Sequence, residues 1–356
     1  MRQDPPPPSP TLEDVARAAG VSRATVSRVV NGVRNVDSAI QEAVRQAITA
    51  TGYVPNRAAR SLVTRRTGSV ALVVSGAGDE GAGALGGGGG SGFFPVQVFT
   101  DPFFGRVVGG IVGFLRPRGL HPVLMFAETP ETRAQVLTAL RQGDADGAVL
   151  VSTHAEDPLP RLLAEAKLPA VLFARPADPV PISYVDVDHR AGAKLAADHL
   201  VARGSKHVVT ISGPLDVPAS QARLAGFRDA MAAHGHPFVP CAEGGFTYHS
   251  GEQAMERLLA EHPGLDGVFV ANDLMAQGAL LVLRHHGRAV PGDVAVVGFD
   301  DSSAATACRP PLTTVRHPVE DMAAEMARLL LEHIEQPGHR PTSIIFDPTL
   351  VIRDSS

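Results

Sequence analysis

Near the start of the chain, Arg23, Thr25, Ser27, Arg28 and Asn31 have the types and spacing to touch a nucleic-acid duplex. Guanidinium, hydroxyl and amide groups bond phosphate oxygens and base edges, and no carboxylate lies among these residues. An arginine here suits guanine, whose O6 and N7 accept a guanidinium bidentately, or a phosphate.

These residues must be presented on one face of a rigid element, and the stretch TLEDVARAAGVSRATVSRVVN at 11–31 provides it. Thr11 caps a first helix, with Asp14 placed to complete a capping box. Val15 and Ala19 share one face of that helix. Gly20 suits the turn that follows, and Ser22 caps a second helix. Val26, Val29 and Val30 turn inward from the second helix, which leaves the polar set outside. The pattern predicts a helix-turn-helix; the plainer alternative is an amphipathic helix pair with a solvated arginine face. A third helix is expected from about Asp37 or Ser38 to Thr51, ended by Gly52, with Ile40, Val44, Ala47 and Ile48 closing a three-helix head. After Pro55 a helix-capable segment carries one large apolar residue, Leu62, and is too short to be stable alone.

Charge divides along the same line. Residues 1–66 carry +5 (ten Arg against five Asp and Glu), whereas the remainder carries −10 (22 basic against 32 acidic). A basic head on an acidic body fits a module that meets DNA at one end only. The 356 residues are enough for two or three domains. No apolar run reaches transmembrane length and MRQDPPPPSP contains no signal-peptide core, so a cytoplasmic protein with no membrane partner is expected. Cys241 and Cys308 stand alone, which indicates neither a disulfide framework nor a zinc site. No cofactor and no metal are expected.

From Ser69 the pattern changes to short apolar runs alternating with helical ones. Val70–Val74, Pro122–Phe126, Gly147–Val151, Ala170–Phe173, His207–Ile211, Gly267–Val270 and Val294–Gly298 read as buried parallel strands. Helical patterns lie between them, and Val319–Gln336 follows. The alternation predicts two doubly wound parallel-sheet α/β lobes behind an all-α head. The glycine-rich stretch 76–92 reads as a flexible insertion; without a following GK[ST] it is not a phosphate loop. The expected domains are a disordered tail at 1–10, the helix-turn-helix head at 11–55, a hinge helix and linker at 56–67, and the core at 68–356. Within the core, the first lobe is expected at about 68–187 and 317–341, and the second at about 188–316 and 342–356.

The chain resembles the lactose-repressor (LacI/GalR) family of bacterial transcription regulators from Thr11 to its end. The matching motifs are the 11–31 stretch, GYVPNRAARSL at 52–62, DPFF at 101–104, ARLAGF at 222–227, FVANDLMAQGAL at 269–280, VAVVGFDD at 294–301 and PPLTTV at 310–315. The resemblance implies a homodimer on a near-palindromic operator, and a core like that of periplasmic sugar-binding proteins. Position by position, it implies that Ser22, Thr25, Ser27 and Asn31 fix phosphates and that Arg23, Ala24 and Arg28 read bases. Thr11, Tyr53, Asn56 and Ala59 join the DNA-contacting set. Leu62 is implied to wedge into the minor groove at a central step, which kinks the duplex.

For the effector, the resemblance implies Asp101, Phe103, Phe104, Arg223, Phe246, Asn272, Asp273 and Asp300. Aromatic faces against C–H surfaces, with Arg, Asp and Asn on hydroxyl pairs, make a sugar-binding set. Plain core packing is the alternative for Phe103 and Phe104. One departure stands out: many members carry an acid after the strand at 170–173, where this chain has Ala174-Arg175-Pro176. The expected function is an allosteric repressor of carbohydrate-utilisation genes, with a purine or a protein co-regulator as the alternative controller. An enzyme is not expected: no GxSxG elbow occurs, and His154, His189, His199 and His249 fall in no triad or metal pattern. No leucine heptad follows the last helix, so a dimer is expected rather than a tetramer.

Overall fold

The computed structural model describes residues 10–30, 36–54, 66–75, 102–152, 155–336, 338 and 340–356. Asn31, Asn56, Ala59, Leu62, Asp101 and His154 lie outside the described residues, as do the 1–9 tail and the glycine-rich stretch. The chain forms two compact units, residues 1–68 and Ser69–Ser356.

In the first unit, α1 (Leu12–Ala19) opens with a reciprocal capping box between Thr11 and Asp14 and ends at Gly20 with φ +65°. Only a residue without a Cβ takes that backbone conformation without strain. Ser22 Oγ accepts from the Thr25 N–H at 3.1 Å and so caps α2 (Arg23–Val30). Asp37 caps α3 (Ser38–Thr51), which Gly52 terminates. Val15, Val26 and Val44 are fully buried between the three helices. Val29, Val30 and Tyr53 are partly buried against them.

The second unit contains two six-stranded sheets. In the first, β1 (Ser69–Ser75) pairs with β2 (His121–Ala127) and β3 (Ala148–Ser152). Beyond β3 come β4 (Ala170–Phe173), β5 (Ser183–Val187) and β11 (Ser343–Phe346), all parallel. In the second, β6 (Val208–Ser212) lies between β7 (Cys241–Glu243) and β8 (Gly267–Val270). Then follow β9 (Ala295–Asp300), β10 (Thr313–Arg316) and the antiparallel β12 (Thr349–Val351). Helices cover both faces of each sheet, so Val70 and Leu72 pack one way while Ala71 and Val73 pack the other. Burial on both faces is why these strands are apolar runs and not alternating ones.

Two expectations are corrected here. Residues 343–346 belong to the first sheet, because Ser343–Phe346 pairs with Tyr184–Val187. The return to the second lobe therefore comes after Phe346 and not at 342. The strands at 183–187, 241–243 and 313–316 and the helix Leu159–Glu165 were not expected from the pattern. Ser183 and Asp186 interrupt the apolar run of β5, yet both are buried because they have partners: the Thr342 N–H donates to Ser183 Oγ, and the Val187 N–H to Asp186 Oδ1. No described helix is long and apolar enough to cross a membrane.

Candidate effector cleft and DNA-reading face

The chain passes between the two lobes three times among the described residues: after β5, after β10 and between β11 and β12. The carboxyl ends of the strands face a shared cavity of about 630 Å³. Ligand sites of open α/β sheets form at such strand ends.

The second-lobe floor of the cavity is built on Arg223, from the helix Pro218–Ala233. The guanidinium donates to the Ala271 carbonyl at 2.5 Å and to His189 Nδ1 at 3.2 Å, lies 3.6 Å from Asp300 Oδ1, and sits 3.8 Å above the Phe299 ring. A guanidinium so fixed presents its edge in one orientation. Asp300 ends β9 with φ +114°, which turns its carboxylate into the cleft. Burial raises the Asp300 pKa, opposed by Arg223, Arg106 and His189.

His189 and His317 line the same floor. Their rings meet edge to face at 5.7 Å. His189 Nε2 lies 3.4 Å from Asp186 Oδ1, and His317 Nδ1 lies 3.4 Å from Asp300 Oδ1. Burial, then the nearby Arg223, holds both imidazoles below their ordinary pKa, His317 well below. Both are therefore neutral. From the first lobe, Arg106 grips Glu320 with Nε and Nη2 at 2.7 and 2.8 Å. It also donates to the carbonyls of Asp300 at 2.8 Å and His317 at 2.9 Å, so one side chain joins both lobes at the crossing.

Six of the eight expected effector residues line the cavity: Phe103, Phe104, Arg223, Phe246, Asn272 and Asp300. The two phenylalanines are both wall and core. Phe103 meets Phe173 edge to face at 5.1 Å while the first-lobe core packs behind it. Phe246 takes φ +60°, and its carbonyl accepts from Asn272 Nδ2 at 3.0 Å. Asn272 Oδ1 accepts from the Met275 N–H, so both ends of this amide already hold local structure.

Asp273 is a correction. It is buried but does not line the cavity; its carboxylate accepts from the Ser302 N–H at 2.7 Å and from Thr314 Oγ1 at 2.6 Å. Burial and the neighbouring Asp300 push its pKa up to about 7. The chain's nearest carboxylate to Arg175, after β4, is on β5, and it does not line the cavity. Asp186 Oδ2 accepts from the Arg175 N–H at 3.1 Å, behind the wall that Arg175 forms.

Sequence reasoning assigned no role to Arg106 or His317; His189, which falls in no triad or metal pattern, is a buried hydrogen-bonded residue at the edge of the cavity. No local pattern marks them, since their role arises only when the crossings bring them beside Asp300. Among the described residues no cluster of three or more His, Cys, Asp or Glu is arranged to hold a metal ion.

On the head, Ser22, Arg23, Ala24 and Arg28 are exposed on α2, with Thr25 and Ser27 half-buried between them. Arg23 Nε lies 3.0 Å from Glu13 Oε1, so a carboxylate of α1 does reach the basic face. This pair is solvated and weak, and a phosphate or base edge can replace it.

A basic recognition helix on a three-helix head, joined in one chain to a two-lobed core whose cleft has apolar walls and a charged floor, defines a ligand-controlled DNA-binding regulator. Residues 11–56 match the bacterial regulatory proteins of the lacI family, and residues 197–356 match the periplasmic binding protein-like domain. The HTH-type transcriptional regulator CelR of Thermobifida fusca is 43% identical over 351 residues, covering 97% of this chain and 98% of that one. A solved CelR–cellobiose complex is 41% identical with a TM-score of 0.72, covering 98% of this chain and all of that one. The lac repressor dimer bound to operator and the anti-inducer ONPF is 25% identical with a TM-score of 0.79, covering 98% of this chain and 99% of that one. The chain belongs to the LacI family of bacterial transcription regulators.

Proposed function

We propose that this protein is a repressor of carbohydrate-utilisation genes whose hold on operator DNA is controlled by a glucose disaccharide of the cellobiose type. The observation that carries the reading is the cleft floor, where Arg223 and Asp300 meet beside aromatic walls. A guanidinium and a carboxylate side by side can take both directions of hydrogen bond from adjacent sugar hydroxyls, while Phe103 and Phe246 cover C–H faces. The CelR–cellobiose complex supports the choice of sugar. A repressor of sugar-consuming genes must release DNA when the sugar arrives, so the disaccharide is expected to weaken operator binding.

In this reading the protein acts as a homodimer, in the cytoplasm where the chromosome lies. Residues 11–55 read DNA, 56–67 form the hinge, and 68–356 bind effector and partner. Thr11, Ser22, Arg23, Ala24, Thr25, Ser27, Arg28, Asn31, Tyr53, Asn56, Ala59 and Leu62 contact the operator. Asp101, Phe103, Phe104, Arg223, Phe246, Asn272 and Asp300 contact the effector. In this reading the cleft is a binding site and not a catalytic one, and His189 serves to hold Arg223, receiving it on one nitrogen and facing Asp186 with the other.

A thermal-shift panel tests the reading, because a ligand of the native state raises the melting midpoint by mass action. Cellobiose at millimolar concentration is expected to raise it, while ribose and hypoxanthine leave it in place. A rise with hypoxanthine and none with any sugar contradicts the assignment.

A further inference from the structure

We propose that Glu13, on the first helix of the head, is a positioning residue that aims Arg23 at a guanine of the operator. This rests on the reading of Arg23 as an operator contact. Arg23 is the first residue of α2, and in a helix-turn-helix the second helix meets base edges in the major groove with its N-terminal residues. Arg23 Nε lies 3.0 Å from Glu13 Oε1, and both side chains are exposed, so this face is open to a duplex. Glu13 stands in the first turn of α1 beside Asp14. Asp14 is already engaged, by the Thr11 N–H and by Arg17. Thr11 and Asp14 close the capping box between them, so the cap of α1 does not need Glu13.

A carboxylate on the Nε side of a guanidinium leaves the terminal Nη1 and Nη2 for another partner. Among the described residues none accepts a hydrogen bond from either. Those two amino groups form the fork that guanine takes with O6 and N7. An arginine stem is mobile, and stilling it opposes binding; a charge held beside Nε orders the fork before the base arrives. In water the pair is weak, but a duplex closing over the face displaces water and strengthens it. Glu13 has a second effect, because the first helix of this motif crosses the DNA backbone, where a carboxylate repels the phosphates of every sequence alike. The two effects together lower the hold on DNA at large and sharpen the preference for guanine where Arg23 reads. Specificity is such a difference of affinities.

The test is a double-mutant cycle on the full chain: wild type, Glu13→Gln, Arg23→Ala and the two combined. Each is titrated at fixed salt against an operator selected in vitro with wild type, against every single-base-pair variant of it, and against random duplex. The base pair that Arg23 reads is the one whose preference disappears in Arg23→Ala. Wild type is expected to prefer guanine there by about tenfold, the scale of one bidentate pair. Glu13→Gln is expected to cut that preference about threefold, to leave the other base pairs as they were, and to tighten on random duplex. In the Arg23→Ala background it is expected to change no base preference. Gln keeps the length of the side chain without its charge, and melting curves establish that each variant is folded. A Glu13→Gln protein that tightens equally on every duplex, with the guanine preference intact, overturns the proposal, because the carboxylate then only repels. A loss of preference that persists in the Arg23→Ala background overturns it as well. An Arg23→Ala protein that weakens evenly on all duplexes makes Arg23 a phosphate contact; this proposal then falls while the operator contact stands. An Arg23→Ala protein that binds like wild type removes both.

Discussion

Arg106 donates from Nη1 to the backbone carbonyl of Asp300 at 2.8 Å, linking a first-lobe helix to the strand end that carries a cleft carboxylate. The same guanidinium reaches the His317 carbonyl and Glu320, so one side chain spans the crossing between the lobes. Arg106→Ala removes two charge-assisted bonds to backbone carbonyls, each worth about 1.5–3 kcal/mol. Cellobiose affinity is expected to fall about tenfold, because Asp300 loses its fixed position. Calorimetry on the variant checks this, and unchanged affinity in a folded protein contradicts the role assigned to Arg106.

The Arg223–Asp300 pair predicts a different pattern. Removing the buried arginine strands a mostly buried carboxylate, so Arg223→Ala is expected to destabilise the core by about 3 kcal/mol and to abolish sugar binding. Adding Asp300→Asn removes the stranded charge. The double variant is expected to regain part of the stability in urea unfolding while still binding no sugar. A double variant less stable than Arg223→Ala refutes the account.

Asp273 makes stability depend on pH with an unusual sign. Its folded pKa of about 7 stands above the ordinary value of 3.8 for an exposed aspartate. Between those values the folded state holds a proton that the unfolded chain has released. Its contribution is therefore present at low pH and lost as pH rises from about 4 to 7. Asp273→Asn keeps an acceptor for the Ser302 N–H and an amide for Thr314 Oγ1. The stability difference, variant minus wild type, is expected to grow with pH across that window, by up to about 1.4 kcal/mol per unit. Urea midpoints at pH 5, 6 and 7 measure it; a difference that stays flat contradicts the shift.

The head separates folding from reading. Thr11 Oγ1 accepts from the Asp14 N–H, and Asp14 returns a bond to the Thr11 N–H at 2.9 Å. Thr11→Ala is expected to cost about 1 kcal/mol of head stability, the usual value of an N-cap. Arg28→Ala leaves caps and core untouched, so the melt is expected to hold while operator affinity falls by about 1–3 kcal/mol. Loss of head folding in Arg28→Ala opposes the assignment.

Much of this was legible in the residues because it is local. Caps at Thr11, Ser22 and Asp37 and stops at Gly20 and Gly52 act within a few residues, and the head follows from them. Fully buried parallel strands such as Val70–Val74 announce themselves as apolar runs. Ser183–Val187 does not, since its polar residues are acceptable only once Thr342 and Arg175 arrive to bond them. In the cleft, Arg223 and Asp300 were found through the motifs around them. Asp273 was misplaced because it adjoins Asn272, yet one step along a helix turns a side chain by about 100°. Asn272 faces the cleft, whereas Asp273 turns to Thr314 and Ser302. Arg106, His189 and His317 acquire their roles only when three crossings gather positions 106, 189, 223, 300 and 317.

The central claim is that a sugar in the cleft controls the head's hold on DNA. It is tested most directly by fluorescence anisotropy with an operator selected in vitro from random duplexes, titrated at fixed physiological salt with and without saturating cellobiose. Coupling between two sites is reciprocal and is typically 5–150-fold. The account predicts that cellobiose weakens operator binding within that range, and that Asp300→Asn binds the operator normally but ignores the sugar. Operator affinity unchanged by cellobiose, at concentrations where calorimetry shows the cleft filled, contradicts it.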